Sequence, residues 1–365
     1  MTTIDSAPKT FLNKNSIAWA LYDWGNSAFA LSVLAVLFPL FLGSYWSADE
    51  PGPVVTSRLA WATALGSIIV SVLAPMLGAI SDSGGFRKRF LFVFTILGAA
   101  STVALSQVGM GEWVWALAFF ILASTGYYGA MIFYDALLVD VCHPRYYGLV
   151  STFGLSLGYI GGALLLTLHV WLMYNPGVLG FENTNQVIQF AFASVGLWWV
   201  VFVLPVMLVI QENKSAASGR GHAIRAAYGA LKDTFLKIRG YRNVYLFLLA
   251  YWLYIGGLFA VIFMAVNFGQ RLGFSDTDLV TAIMITNYVG FPATLAYGAM
   301  AHYLGARKAI YVGLAVYIVV VCFAVVLTDV RQLYAMAITI GMVQGGVQGI
   351  SRSLYASLIL SLIHI

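Results

Sequence analysis

Charge is scarce in this chain. Asp, Glu, Lys and Arg make up 9% of its 365 residues, where a soluble domain carries about 25%. With 61% hydrophobic residues, the chain could not cover itself with a polar surface, which excludes a water-soluble globule. Cysteine is nearly absent as well: Cys142 and Cys322 make no disulfide framework. Next to His143, and with His169 standing alone, they offer no ligand set at metal spacing, so no metal is expected. The HExxH, nucleophile-elbow and phosphate-loop patterns are missing, so neither an enzyme nor a cofactor is expected. Apolar–polar alternation is missing too, which excludes a membrane barrel of strands.

Long apolar runs are what the chain has instead. Ten of them occupy residues 17–46, 57–80, 89–108, 113–141, 148–173, 189–210, 244–268, 279–301, 308–328 and 332–352. Each reaches the roughly 20 residues that a helix needs to cross the hydrocarbon core. An all-α integral membrane protein in contact with lipid is expected. Residues 1–15 are polar, and the first run is too long for a leader core and lacks a small-x-small cleavage site. It is therefore expected to remain as the first helix.

The few charges are also partitioned. With the ten runs alternating in direction, one side carries Arg58, Arg271 and Arg331 with the acids Asp49, Glu50, Glu112, Glu182, Asp276, Asp278 and Asp329. Every other Lys and Arg falls on the side of the amino terminus, which the positive-inside rule places in the cytoplasm. Basic loops of this kind also account for the net charge of +5. No nucleic-acid partner is expected.

One long polar connection, residues 211–243, holds Lys214, Arg220, Arg225, Lys232, Lys237, Arg239 and Arg242 against Glu212 and Asp233. It reads as a basic cytoplasmic linker on the membrane surface. A patch for anionic lipid or a regulator is the sharper alternative. The linker divides a tail (1–15) and a six-helix bundle (16–210) from four further helices (244–352).

An internal repeat underlies that division. GAISDSGGFRKRF runs from Gly78 to Phe90, and GAMAHYLGARKAI from Gly298 to Ile310. Each has a glycine, a polar residue four positions on (Asp82 or His302), another glycine and a basic cluster. The clusters are Arg87, Lys88 and Arg89 in the first and Arg307 and Lys308 in the second. Parallel repeats build transporters whose halves rock about a midplane site.

Six helices, a long cytoplasmic loop and the Gly-x-x-x-Asp…basic loop resemble the major facilitator superfamily. Within it, WALYDWGNSAF (19–29), FYDALL (133–138) and QGGVQGISRSL (344–354) are similar to the vacuolar-effluxer-like branch. FGLSLGYIGG (153–162) and LAYWLYIGG (249–257) agree in placement, so the resemblance covers nearly the whole chain.

The resemblance implies a two-bundle fold with about ten of twelve transmembrane helices present, helices 1, 4, 7 and 10 lining a central cavity. It also implies export of an amino acid-like small molecule; alternating access is the expected mechanism, with the cavity carboxylates either binding an amino group or carrying a coupling proton. The expected setting is a bacterial inner membrane, or a vacuolar membrane in a eukaryote, with the protein acting as a monomer. The chain departs from the family in carrying Asp135 where members have Asn, and Gly256 and His302 where they have Asp. Residues 353–365 are expected to be a truncated end, with LSLIHI at 360–365 reading like translated sequencing adapter.

The candidate site follows from solvation cost. A charge in hydrocarbon costs at least about 2.5–3.5 kcal/mol. Yet Asp23 lies inside the first run, with Asn26 and Ser27 on its helical face, and Asp135 lies at similar depth in the fourth. No Lys or Arg falls within the runs except Arg352 at the end of the last. Both acids are thus expected to be protonated, hydrated or matched by a cationic group from outside.

Tyr128, Tyr134, Tyr254, Gln344 and Gln348 complete the predicted substrate- or proton-binding set, because aromatic and amide groups orient a small polar solute. Interfacial packing is the plainer account of the tyrosines. Gly78, Asp82, Arg87, Lys88, Arg89, His302, Arg307, Lys308 and Arg352 form the predicted gate, against simple anchoring by positive loops. Glycine stripes at Gly154, Gly158 and Gly162 and at Gly341, Gly345 and Gly349 should let helices pack closely. The alternative to a transporter is a membrane receptor or sensor that kept the fold.

Overall fold

The computed structural model describes residues 10–212 and 242–363, and ten of its helices are long and apolar enough to cross a membrane. They are α1 (Lys14–Trp46), α2 (Gly52–Gly84), α3 (Arg87–Leu105), α4 (Trp113–Ala136) and α5 (Tyr147–Tyr174). The others are α6 (Thr184–Val209), α7 (Arg242–Arg271), α8 (Asp276–Leu304), α9 (Ala306–Ala324) and α10 (Val330–Ile363). The linker bases from Lys214 to Arg239 lie outside the described residues.

Local chemistry sets the helix ends. Asn13 opens α1 with a capping box: its side chain accepts from the N–H groups of Asn15 and Ser16, and Ser16 Oγ accepts from the Asn13 N–H. At α6 and α8 the Asn183 and Ser275 side chains accept from the N–H groups of Gln186 and Asp278. The sequence repeat is also a repeat of structure. Gly85 (φ 63°) and Gly305 (φ 87°) hold the same place in the two motifs, and each follows the second helix of its half. Positive φ there favours glycine, so the pattern in the sequence is a pattern of helix endings.

Two helices depart from the simple reading. Pro39 lacks the N–H that would bond back along α1, and wider i→i+5 turns at Phe29–Leu37 and Leu42–Trp46 flank it. In α10 the cluster Ser351, Arg352, Ser353 looks like an interfacial stop, but the helix runs on to Ile363. The serines are tolerated because both are buried within the protein. Arg352 therefore sits inside the helix, not at its edge.

Lipid tails are as apolar as leucine, so close packing and hydrogen bonds hold such helices together. α1, α3, α4, α5 and α6 enclose a core that includes Trp19, Tyr22, Phe29, Trp46, Phe133 and Trp199. The polar edges of its rings are matched. Trp199 Nε1 donates to the Tyr22 hydroxyl (3.2 Å), which bonds Thr95 Oγ1 (3.0 Å). A smaller core around Leu258, Tyr297, Tyr317 and Val347 gathers α7 to α10.

α5 belongs to both halves. Its face with Gly154, Gly158 and Gly162 lies on α1, so close that a Cβ at Gly162 would stand 3.0 Å from the Ser27 carbonyl oxygen. On its other face Tyr159 lies over Gly290 and Gly345, and Thr152 beside Gly298 and Gly349. There Ser156 Oγ donates to the Phe291 carbonyl at 2.7 Å. One glycine stripe thus works within a bundle. The stripe on α10 packs partly on α8, where Gly341 meets Thr286, and partly across the seam on α5. The halves also meet nearer the opposite membrane face, where Ala35, Val36, Pro39 and Leu40 adjoin Leu279, Val280 and Ile283 around a small cavity.

Candidate functional site

The site begins with an aromatic pair. Trp19 Nε1 donates to the Tyr134 carbonyl at 2.9 Å, and the two rings stack with centroids 4.2 Å apart and planes 11° from parallel. This fixes Tyr134, whose hydroxyl donates to Asp23 Oδ2 at 3.2 Å, while Ser27 Oγ lies 3.4 Å from Oδ1. Asp23 is 1% exposed. Its face was legible because Trp19, Asp23 and Ser27 recur every four residues on α1.

Asp135 follows Tyr134 in the chain, and its Oδ1 lies 3.0 Å from Arg352 Nε. The expectation that neither acid has an in-membrane cation is therefore corrected. Arg352 read as a span edge, but α10 continues beyond it and presents it to α4. The guanidinium also stands over the Tyr134 ring at 5.3 Å and over the Trp19 ring at 5.6 Å, a favourable cation–π arrangement. One cation thus lies among two acids and two rings. With every group ionised, the cluster carries one unmatched negative charge.

The other predicted binding residues surround this cluster less tightly. Tyr254 Oη donates to Ser351 Oγ at 2.6 Å and ties α7 to α10 beside Arg352. Gln344 precedes Gly345, which packs under the Tyr159 ring, and Gln348 is half-buried. Asn26 is buried with Nδ2 3.0 Å from Met131 Sδ, and its Oδ1 has no partner among the described residues. Tyr128 packs edge-on against Tyr127 at 5.1 Å. Trp19 and Ser351 were absent from the predicted set. Only their neighbours Asp23 and Arg352 could have pointed to them.

Most of the predicted gate lies within one half. Arg87 Nη1 meets Asp140 Oδ2 at 3.0 Å, and the Arg89 guanidinium stands 5.3 Å over the Phe86 ring. Lys88 Nζ donates to the carbonyls of Met207 (2.9 Å) and Ile210, and its backbone N–H to Glu212 Oε1. A lysine at the carboxyl end of α6 satisfies open carbonyls and favours the helix dipole. His302, Arg307 and Lys308 are exposed, and Gly78 is half-buried with open space around its Cα. The Asp82 side chain lies outside the described residues. Arg352 reaches across the two halves, to Asp135.

Two groups at this end of the bundle titrate abnormally. Burial holds the Glu212 carboxyl above the usual carboxylate range, opposed by the Lys88 N–H. Burial also pushes the Cys142 thiol up to about 12.

Ten membrane helices in repeat-related halves, with a charged cluster buried at the seam, define a multi-pass membrane transporter of the major facilitator type. Solved structures share this fold. The human organic anion transporter MFSD10 superposes with a TM-score of 0.64 at 16% identity, covering 93% of this chain and 85% of that one. The partially occluded, inward-open xylose transporter XylE from E. coli gives 0.62 at 12% identity, covering 94% and 88%.

The chain belongs to the vacuole effluxer Atg22-like family, whose pattern matches residues 54–145 and 143–359. The MFS-type transporter YxiO of Bacillus subtilis is 32% identical over 351 residues, 95% of this chain and 81% of its own length. Autophagy-related protein 22 of Vanderwaltozyma polyspora is 23% identical over 249 residues, 56% of this chain and 46% of the fungal protein.

Proposed function

We propose that this protein exports an amino acid-like solute by alternating access, and that the Asp23–Asp135–Arg352 cluster binds the solute and carries a coupling proton. The observation behind this reading is the membrane-buried charge cluster shared between α1, α4 and α10. Two acids and one cation leave a single negative charge, which one proton or one ammonium group neutralises. Arg352 and Asp135 join the halves, so neutralising Asp135 loosens a link that alternating access has to break. Export is supported by the effluxer family to which the chain belongs. The transporter works as a monomer with its amino terminus in the cytoplasm, in a bacterial inner membrane or, in a eukaryote, a vacuolar membrane.

Proteoliposome flux over a panel of amino acids, with and without a pH gradient, tests the reading. The expected result is solute movement that dissipates the gradient. Binding without flux would instead favour a receptor that kept the fold.

A further inference from the structure

We infer that the Asp135–Arg352 pair is itself the recognition element: a zwitterionic solute inserts between the two charges, its carboxylate on the guanidinium and its ammonium on Asp135. This rests on the transporter reading and adds which end of the solute each residue holds.

The geometry of the arginine carries the inference. A guanidinium offers five N–H donors in a planar fork and commonly grips a carboxylate through two of them. Here Asp135 Oδ1 lies 3.0 Å from Nε as an ion pair, while that oxygen and the buried Nη1 both have no hydrogen-bond partner among the described residues. Donor capacity of the kind a carboxylate uses is thus left over at the seam. The two ring faces under the guanidinium hold it in place independently of Asp135. The acid is also the more accessible partner, with 43% of its side chain exposed against 11% for Arg352. A solute can therefore enter from the acid's side and move the carboxylate while the arginine stays.

Charge balance then selects the solute class. With Asp23 carrying the coupling proton of the proposed cycle, a zwitterion that inserts leaves every remaining charge with a partner of opposite sign. An acid without an amine takes Arg352 and strands Asp135. An amine without an acid takes Asp135 and strands Arg352. Stranding one member of the pair is unfavourable, most of all for Arg352, whose side chain is 11% exposed. Insertion also replaces a direct link between α4 and α10 with a longer, solute-bridged one, so occupancy itself separates the halves.

Binding of alanine, propionate and ethylamine to the purified full-length chain in nanodiscs tests this with the smallest set of matched ligands. Alanine should bind about 100-fold more tightly than either single-charge analogue. Asp135→Asn should invert the order, with propionate gaining affinity and ethylamine gaining none. Arg352→Gln should do the opposite and favour ethylamine. Each variant is expected to gain a ligand, which misfolding cannot imitate. Equal binding of alanine and ethylamine, no measurable alanine binding at millimolar concentration, or a parallel loss in both variants overturns the inference. The flux assay fails separately: inverted binding orders without flux would remove the transporter reading and leave zwitterion insertion standing.

Discussion

Asp23 is the residue on which the proposed proton-coupled cycle puts most weight. Its carboxyl is buried and accepts from Tyr134 at Oδ2 and from Ser27 at Oδ1; an amide keeps the Tyr134 bond through its oxygen and can donate from its nitrogen to the Ser27 hydroxyl. Asp23→Asn should therefore fold and insert normally while proton-coupled flux falls at least about 100-fold, the scale on which loss of a proton-carrying group acts. Proteoliposomes carrying a pH gradient give the measurement, and unchanged coupled flux would remove Asp23 from the mechanism. Cys142 makes a contrasting prediction. Its thiol is buried and its titration is pushed up to about 12, so almost no thiolate forms at neutral pH. Aqueous maleimide should leave it unmodified in the folded protein, and mass spectrometry showing stoichiometric labelling would contradict the packing around it. Both acids of the site were legible from sequence, because a charge inside an apolar run needs an explanation. Their pairing was not. Arg352 lies far away in the chain, and its place within α10 depends on two serines being buried by neighbours that no local spacing reveals.

At the scale of elements, the carboxyl end of α6 offers a pH test. Glu212 has its carboxyl held high by burial, so the folded state keeps its proton more tightly than the unfolded state. Linkage then makes this group's contribution to stability larger as pH falls through the carboxylate range and smaller as pH rises through it. Glu212→Gln keeps an acceptor for the Lys88 N–H and removes the titration. The melting temperature of the variant should depend less on pH from the usual carboxylate range upward, measured by thermal unfolding in detergent. An identical slope would show that Glu212 is not the group responsible. The helices themselves were readable from run length, and the glycine stripes announced close packing. The partners of those stripes were not readable, because Gly158 facing α1 and Gly349 facing α5 look alike in sequence. The widened turns of α1 were equally hidden: Pro39 marks a lost donor, but how the helix absorbs that loss depends on what packs around it.

For the whole molecule, the two halves show their kinship most plainly in Gly85 and Gly305, equivalent glycines that each follow a second helix. The repeat was visible in sequence because that turn tolerates few other residues, whereas the seam between the halves arises only when α5, α8 and α10 meet. Sidedness gives the prediction at this scale. With Lys and Arg concentrated on the amino-terminal side, a tag placed before Lys14 should be reached by a membrane-impermeant protease only from the cytoplasmic side. Digestion in intact cells from outside would reverse the assignment.

The bond from Ser156 to the Phe291 carbonyl gives the seam a mechanical character. A main-chain carbonyl is the same acceptor whatever side chain its residue bears, and α8 repeats that acceptor about every 5.4 Å of its length. Replacing the side chain at position 291 therefore leaves this tie in place, whereas removing the hydroxyl of Ser156 takes it away. The seam is held here by one side chain on α5 and by backbone on α8, so its strength is written on one helix only.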